Sequence, residues 1–248
     1  MSNIVYGKNS VIEFLISSPE KAEKVYIYKN IENNKAVQKI FNLIKNNRIV
    51  FIKVDRNKLN TLAGGGNHQG VVLTFASREY SSVKDIFEKA KKKNQLPFIL
   101  ILDSVTDPHN FGSIIRTAEF AGVHGIIISK RNSAGLTPVV EKTSSGASFY
   151  MPIVKVSNLN YTVTDLKKEG VWIIGAEGGA EKPYNEVDYK MPAALVLGSE
   201  GSGISSLLKK SCDILVKIPK YGNVTSLNVG VSAGILIYEV INNRLKQA

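Results

Sequence analysis

The sequence predicts an α/β protein in which a mainly parallel sheet, covered by helices on both faces, follows a smaller α/β unit. From residue 97 onward the strand-like segments are continuous apolar runs, and helical stretches separate them. Before residue 77, strand and helix signals alternate over shorter segments. Hydrophobic residues make up 44% and charged residues 21% of the 248 residues, which is a globular composition that suits one large domain or two smaller ones.

The first 76 residues are expected to form the smaller domain, because apolar residues recur there at helical or alternating spacing. The spacing predicts helices over 10–17, 35–47 and 56–64 and strands over 24–30, 48–55 and 69–76. Three consecutive glycines at 64–66 interrupt the chain before the last of these strands.

A polar stretch over 77–96 is expected to link this domain to the second, which covers 97–248. Ser82 can cap a short helix in the middle of the link, and a run of lysines ends that helix before Pro97. Apolar runs predict strands of the second domain over 98–103, 125–129, 171–177, 194–199 and 213–219. Ligands of such sheets bind at the carboxyl ends of the strands, so the loops there are the candidate site.

The charge of the chain is unevenly distributed. The formal net charge is +11, of which residues 1–94 carry +9 and residues 95–248 carry +2. The asymmetry indicates that the first part binds a polyanion. Lysines that only solvate the surface would give the same difference in net charge.

Several classes of protein are excluded. One cysteine, Cys212, leaves no disulfide framework and no Cys-rich zinc site, and three histidines make a His-based metal site improbable. No apolar run reaches the ~18 residues of a membrane span, and the N-terminus lacks the layout of a signal peptide. We therefore expect a cytoplasmic protein without a bound metal.

The loop after the first strand of the second domain carries the first group of polar residues. In DSVTDPHNFGSIIRTAEFAG (103–122), Asn110 and Gly112 lie at the start of a predicted helix, and Arg116 follows within two turns. A helix N-terminus and an arginine together suit a phosphate. Taken alone, Asn110 can equally be a helix cap and Arg116 a surface cation, and His109 can be a general base or a solvated loop residue.

Two further loops have unusual composition. LVLGSEGSGIS (195–205) places three glycines around Glu200, which permits close backbone approach but matches neither the dinucleotide fingerprint nor a P-loop. KIPKYGNVTSLNVGVSAGILIYEV (217–240) contains a polar cluster and then small residues that begin the last helix. That small-residue face indicates either a tight contact within the chain or an interface between two copies.

Taken together, these three loops resemble the motifs of the SpoU (TrmH) family of RNA 2′-O-ribose methyltransferases. DPHNFGSIIRTAEFAG is similar to the first motif, LVLGSEGSGI to the second and IPKYGNVTSLNVGVSAGI to the third. GKNSVIEFL and HQGVVL near the N-terminus are similar to the L30e-like RNA-binding domain of the branch that methylates a guanosine in 23S rRNA. The resemblance implies a trefoil knot in the second domain, S-adenosylmethionine as cofactor, 23S rRNA as partner, and a homodimer with the site near its interface.

The resemblance also implies roles for individual residues. Arg116 would activate the ribose 2′-hydroxyl, and Glu200 would hold either Arg116 or the backbone loops. The residues implied to position ribose and phosphate are Asn110, Ser226 and Asn228, and those implied to contact the cofactor mainly through the backbone are Gly198, Ile218 and Leu227. Three alternatives remain open: a tRNA ribose methyltransferase, a resistance-type enzyme acting on an rRNA adenosine, and a non-catalytic RNA-binding assembly protein.

Overall fold

The computed structural model describes residues 3–76 and 79–245, which form strands and helices throughout. The strands are β1 Asn3–Tyr6, β2 Ala22–Tyr28, β3 Phe51–Val54, β4 Val71–Phe75, β5 Phe98–Leu102, β6 Gly125–Ser129, β7 Ile153–Val156, β8 Trp172–Ala176, β9 Lys182–Pro183, β10 Ala193–Leu197 and β11 Ile214–Lys217. The α-helices are α1 Lys8–Ser17, α2 Lys35–Asn46, α3 Arg56–Leu62, α4 Val83–Lys92, α5 Pro108–Phe120, α6 Pro138–Thr143, α7 Leu159–Lys168, α8 Ser206–Lys210 and α9 Val229–Leu245.

The first compact unit combines the N-terminal 79 residues with a later segment, 135–150. Its sheet has the order β1-β4-β2-β3, in which β4 runs antiparallel to β1 and β2, and β3 runs parallel to β2. The rings of Phe14, Phe75 and Phe149 pack together in its core, with centroids 4.8–6.4 Å apart. Phe149 comes from the later segment, so that segment contributes to the core of this unit.

The second compact unit contains the remaining residues, from Tyr80 to 134 and from Met151 onward. Its seven strands are all parallel and have the order β7-β6-β5-β10-β8-β11-β9. Every residue of β5 and β10 is buried, as expected for central strands covered on both faces. The prediction of an α/β fold with a mainly parallel sheet is confirmed.

The stretch that we expected to be a linker, 77–96, contains helix α4. Ser82 and Asp85 form a reciprocal capping box: the Asp85 carboxylate accepts the Ser82 N–H at 2.7 Å, and the Ser82 hydroxyl oxygen accepts the Asp85 N–H at 3.3 Å. Ile86 and Ala90 are buried, Ile86 in the core of the second unit. The lysines at the end of α4 make the segment polar in sequence, but its apolar face packs as part of that unit.

None of the helices in the described ranges combines the length and apolarity that a membrane span requires.

Candidate active site

Three loops at the carboxyl edge of the second sheet border a cavity of about 450 Å³. They follow the adjacent strands β8, β10 and β11. The cavity is lined by five of the residues predicted from the sequence to form the site: Gly198, Glu200, Ile218, Ser226 and Leu227. The topology thus brings the second and third motifs together, because parallel strands end at the same edge of a sheet.

The loop after β10 is a tight hairpin held by two backbone hydrogen bonds between Ser199 and Gly203, at 3.0 and 3.1 Å. A Cβ atom on Gly198 would lie 1.9 Å from the carbonyl carbon of Gly203, so the loop can close only when residue 198 has no side chain. Gly203 has a φ of +65°, a conformation that favours glycine. A Cβ atom on Gly201, in contrast, would meet nothing within 4 Å. The hairpin holds Glu200 at its tip.

The Glu200 carboxylate joins the three motifs through a single oxygen. Its Oε1 atom accepts hydrogen bonds from Asn228 Nδ2 at 2.7 Å, Asn110 Nδ2 at 3.0 Å and the Val229 N–H at 3.3 Å. Asn228 Nδ2 also donates to Asn110 Oδ1 at 2.8 Å. The sequence analysis left two partners open for Glu200, namely Arg116 and the backbone loops. In the structure, Glu200 bonds to the loops and not to Arg116.

Both asparagines lie at helix N-termini. Asn228 Oδ1 accepts the N–H groups of Gly230 at 2.9 Å and Val231 at 3.3 Å, which caps α9. Asn110 lies in the first turn of α5, and its own N–H is capped by the Asp107 carboxylate at 2.7 Å. Glu200 thus lies beside the N-terminal turns of two helices, where the helix dipoles stabilise a negative charge.

The small residues at the start of α9 face α5 within the chain. A Cβ atom on Gly230 would lie 3.5 Å from Ser113 Oγ, and one on Gly234 would lie 3.9 Å from Thr117 Cγ2. This close approach places α9 against the same helix that carries Asn110. Of the two interpretations of the small-residue face, the tight contact within the chain is present.

Arg116 forms no hydrogen bond with the cluster of Asn110, Glu200 and Asn228. Its side chain is exposed on α5 and, among residues 3–76 and 79–245, makes no hydrogen bond or ion pair. His109 is also exposed, at the second residue of α5. The structure therefore brings together Asn110, Glu200 and Asn228 and leaves the predicted activating cation open to a ligand.

Two acidic residues near the cavity were not singled out from the sequence. Glu177 lines the cavity after β8 and pairs with Lys209, whose Nζ lies 3.2 Å from its Oε1. Asp103, which directly follows β5, is buried, and its Oδ2 accepts the Ser205 N–H at 2.8 Å. Each acid directly follows an apolar run of the sequence. Because ligands of parallel sheets bind at the carboxyl ends of the strands, that position could have identified both acids as candidate site residues.

A cavity bordered by glycine-rich loops at the carboxyl edge of a buried parallel sheet defines the chain as an α/β enzyme that holds a small organic molecule. Its volume of about 450 Å³ lies in the usual range for such ligands, about 300–1,000 Å³. Leu197, Val216 and Ile218 supply apolar surface, and Glu177 and Ser226 supply polar atoms. This lining fits a nucleoside-containing cofactor.

Two protein-family models match the chain. The SpoU rRNA Methylase family matches residues 97–238, and the family described as RNA 2′-O ribose methyltransferase substrate binding matches residues 4–81. A putative TrmH family tRNA/rRNA methyltransferase, YacO, from Bacillus subtilis (strain 168) is 45% identical over 240 residues, which is 97% of this chain and 95% of that protein. A protein of the same description from Staphylococcus haemolyticus is 39% identical over 241 residues, 97% of this chain and 96% of its own.

Solved structures show the same fold. An AdoMet-bound rRNA methyltransferase from Sinorhizobium meliloti superposes with a TM-score of 0.78 at 25% identity, over 97% of this chain and 87% of that one. The SpoU methyltransferase AviRb from Streptomyces viridochromogenes, in complex with AdoMet, gives a TM-score of 0.82 at 23% identity, over 98% and 91%. The chain belongs to the SpoU (TrmH) family of RNA methyltransferases, whose cofactor is S-adenosylmethionine.

Proposed function

We propose that this protein transfers a methyl group from S-adenosylmethionine to the ribose 2′-oxygen of a guanosine in 23S rRNA, in the cytoplasm. The observation that carries the proposal is the cluster of Asn110, Glu200 and Asn228 beside a cofactor-sized cavity. A match to a 2′-O-ribose methyltransferase substrate-binding family over residues 4–81 supports the choice of the ribose oxygen.

The cofactor fits the cavity through backbone groups of the loops at Gly198, Ile218 and Leu227, and we propose the trefoil knot of the family for the chain segments that form it. When bound, it supplies an electrophilic methyl group on a positively charged sulfur atom. The leaving group is neutral, so the chain need not supply an acid. The difficulty lies with the alcohol, which is a poor nucleophile until its proton is lost or shared.

The side chains around the cavity would address that difficulty. A guanidinium stays protonated below about pH 12, so Arg116 would act by lowering the pKa of the 2′-hydroxyl or by orienting the adjacent phosphate. The side-chain amides of Asn110 and Asn228, held by Glu200, and the Ser226 hydroxyl would position the ribose and its phosphate. Because Arg116 is exposed, an RNA phosphate can reach it.

We also propose that the active protein is a homodimer with the site near its interface. Phe120 is 81% exposed at the end of α5, and Val231 is 51% exposed on α9. Phe120 lies four residues after Arg116 and therefore on the same helical face. A second copy that covers Phe120 would thus lie beside Arg116.

The test is to incubate the protein and labelled S-adenosylmethionine with unmodified 23S rRNA and, separately, with unmodified tRNA. We expect one methylated guanosine ribose in the rRNA, located by primer extension at low nucleotide concentration. Methylation of tRNA alone would favour a second candidate function, a tRNA ribose methyltransferase, since the Bacillus subtilis relative is named a tRNA/rRNA methyltransferase. Failure to label either RNA would overturn the enzymatic proposal.

A further inference from the structure

An unusual exposed surface lies on the first unit. We define the α2–β3 surface as residues 35–54. Strand β3 is the edge strand of its sheet and pairs, among the described residues, only with β2. Three consecutive apolar residues at this edge are exposed: Val50 by 58%, Phe51 by 42% and Ile52 by 41%. Proteins normally protect such an edge, so its exposure here requires an explanation.

Aromatic rings form a ridge in this surface. The rings of Phe41 on α2 and Phe51 on β3 meet edge to face, with centroids 5.6 Å apart and planes at 80°. Shallow hollows of about 330 and 510 Å³ adjoin Phe41. Lys53 borders the first hollow, and Lys45 and Arg48 border the second. Each hollow therefore combines a phenylalanine with a cation.

The charge of the surface has one sign. Residues 35–54 contain five cations and no acidic residue: Lys35, Lys39, Lys45, Arg48 and Lys53. In the part of the chain that the structure describes, Lys45, Arg48 and Lys53 form no ion pair, whereas nearby Lys29 pairs with Asp55 at 2.6 Å. Unpaired cations beside exposed rings match a ligand that has regularly spaced negative charges and flat faces.

We propose that the α2–β3 surface binds a single-stranded segment of the RNA substrate, with a base stacked on Phe51 and its flanking phosphates on Lys45, Arg48 and Lys53. Stacking on an aromatic side chain combined with cationic contacts to the backbone is how proteins hold unpaired nucleotides. A second copy of the chain is a poorer occupant, because two copies of a segment with five cations and no acidic residue would repel each other. The inference rests on the proposed function in one respect, namely that the substrate is RNA.

The experiment measures binding of the full-length protein to a labelled single-stranded oligouridine of about 12 nucleotides and to an RNA duplex of equal length, as a function of salt. Two variants separate the two parts of the surface. In the triple variant Lys45→Gln, Arg48→Gln, Lys53→Gln, we expect the slope of log affinity against log salt to fall by about 2 for the single strand. In Phe51→Leu, which keeps the apolar volume, we expect about tenfold weaker binding with an unchanged slope.

Matched controls show whether the surface itself is responsible. Phe51→Tyr keeps a ring for stacking and should bind like the wild type. Lys58→Gln removes an exposed cation from α3, outside residues 35–54, and should leave the slope unchanged, whereas loss of one phosphate contact would lower it by about 0.7. S-adenosylmethionine affinity should stay at the wild-type value in every variant, since none of these residues lines the cavity, and a cooperative thermal unfolding transition should show that each variant is folded.

The outcomes distinguish RNA binding by the α2–β3 surface from the proposed methyl transfer. If Phe51→Leu and the triple variant both bind the oligonucleotide like the wild type, the surface does not bind RNA, and a protein partner becomes the better explanation. Equal affinity of the wild type for duplex and single strand, with no effect of Phe51→Leu, would overturn the stacking contact. If the wild type binds RNA through this surface but labels neither rRNA nor tRNA, the proposed reaction is wrong while this inference stands.

Discussion

The two sheets of this protein differ in how far their strands are exposed to solvent. In the second unit, β5 and β10 are buried at every position, and chemistry is confined to the loops at their carboxyl ends. In the first unit, three of the four residues of β3 are exposed, and the strand itself presents cations and rings. A sheet covered on both faces holds a small-molecule site rigidly, whereas an open edge offers a long surface to a polymer. The charge does not follow this division, because the five lysines between residues 84 and 93 belong to the second unit: the first unit carries a net charge of +6 and the second +5.

The largest effect should come from replacing Arg116, the one cation to which we assign a role in methyl transfer. Arg116→Ala should reduce methyl transfer at least about a hundredfold, because a positioned charge at a reacting group typically supplies that much. Cofactor affinity, measured by calorimetry, should stay nearly constant, since Arg116 does not line the cavity. Arg131→Ala, which removes another exposed arginine of the same unit, serves as the control. Full transfer activity in Arg116→Ala would show that the motif assignment is wrong.

The second prediction tests how tightly the loop after β10 is packed. Gly198→Ala would force a Cβ atom into the Gly203 backbone and should lower the free energy of unfolding by about 3 kcal/mol and cofactor affinity by on the order of a hundredfold. Gly201→Ala, three positions along the same loop, has free space and should change both quantities little. Chemical denaturation and calorimetry measure the two effects. Equal free energies of unfolding and equal cofactor affinities in the two variants would mean that the loop can open without a loss of stability or binding.

Acid should destabilise the second unit through His124. Burial, together with the positive charges of Lys93, Lys89 and Arg244, lowers the pKa of His124 from its usual 6.5 to about 4. Its Nδ1 accepts the Phe98 N–H at 3.0 Å, a bond that a protonated ring would lose. The unfolded chain therefore binds this proton more readily, and the free energy of unfolding should fall by up to about 3 kcal/mol between pH 6.5 and pH 4.

Denaturant titrations at several pH values measure this effect. His124→Gln, which keeps an acceptor for the Phe98 N–H, should unfold with a shallower pH dependence over the same interval. An identical pH dependence in wild type and variant would assign the acid sensitivity to other groups.

The smallest predicted effect is the coupling between the two asparagines that share Glu200. In a double-mutant cycle of Asn110→Ala and Asn228→Ala, the losses in the free energy of unfolding should deviate from additivity by about 1 kcal/mol, because both amides bond to one carboxylate oxygen. A cycle that pairs Asn228→Ala with Asn185→Ala, in the short 3-10 helix Tyr184–Glu186, should be additive within about 0.4 kcal/mol. Additivity in both cycles would mean that the cluster does not act as a unit.

The fold was predictable where hydrophobicity alone determines structure. Continuous apolar runs located β5, β6, β8, β10 and β11, and Ser82 located the start of α4. The short strands β1, β7 and β9 were not predicted. The packing of residues 135–150 into the first unit was also not predicted, since Phe149 meets Phe14 across more than a hundred residues of chain.

The sequence grouped the candidate site residues but did not predict the hydrogen bonds between them. Family motifs indicated Asn110, Glu200 and Asn228, yet which of them bond depends on strand order, and their separations of 90 and 118 residues carry no local signal. The family resemblance implied that Glu200 holds either Arg116 or the backbone loops, and it did not decide between them. Two amides and the N-terminal turn of α9 satisfy the Glu200 carboxylate.

The shared oxygen of Glu200 also limits how this protein can change over evolutionary time. The loop after β10 supplies that atom, and two other segments, at the starts of α5 and α9, donate to it. The cost of a substitution in any one of the three therefore depends on the state of the other two. Changes in these loops would be tolerated only in certain orders, so that a lineage that alters one loop restricts which replacements the remaining two can later accept.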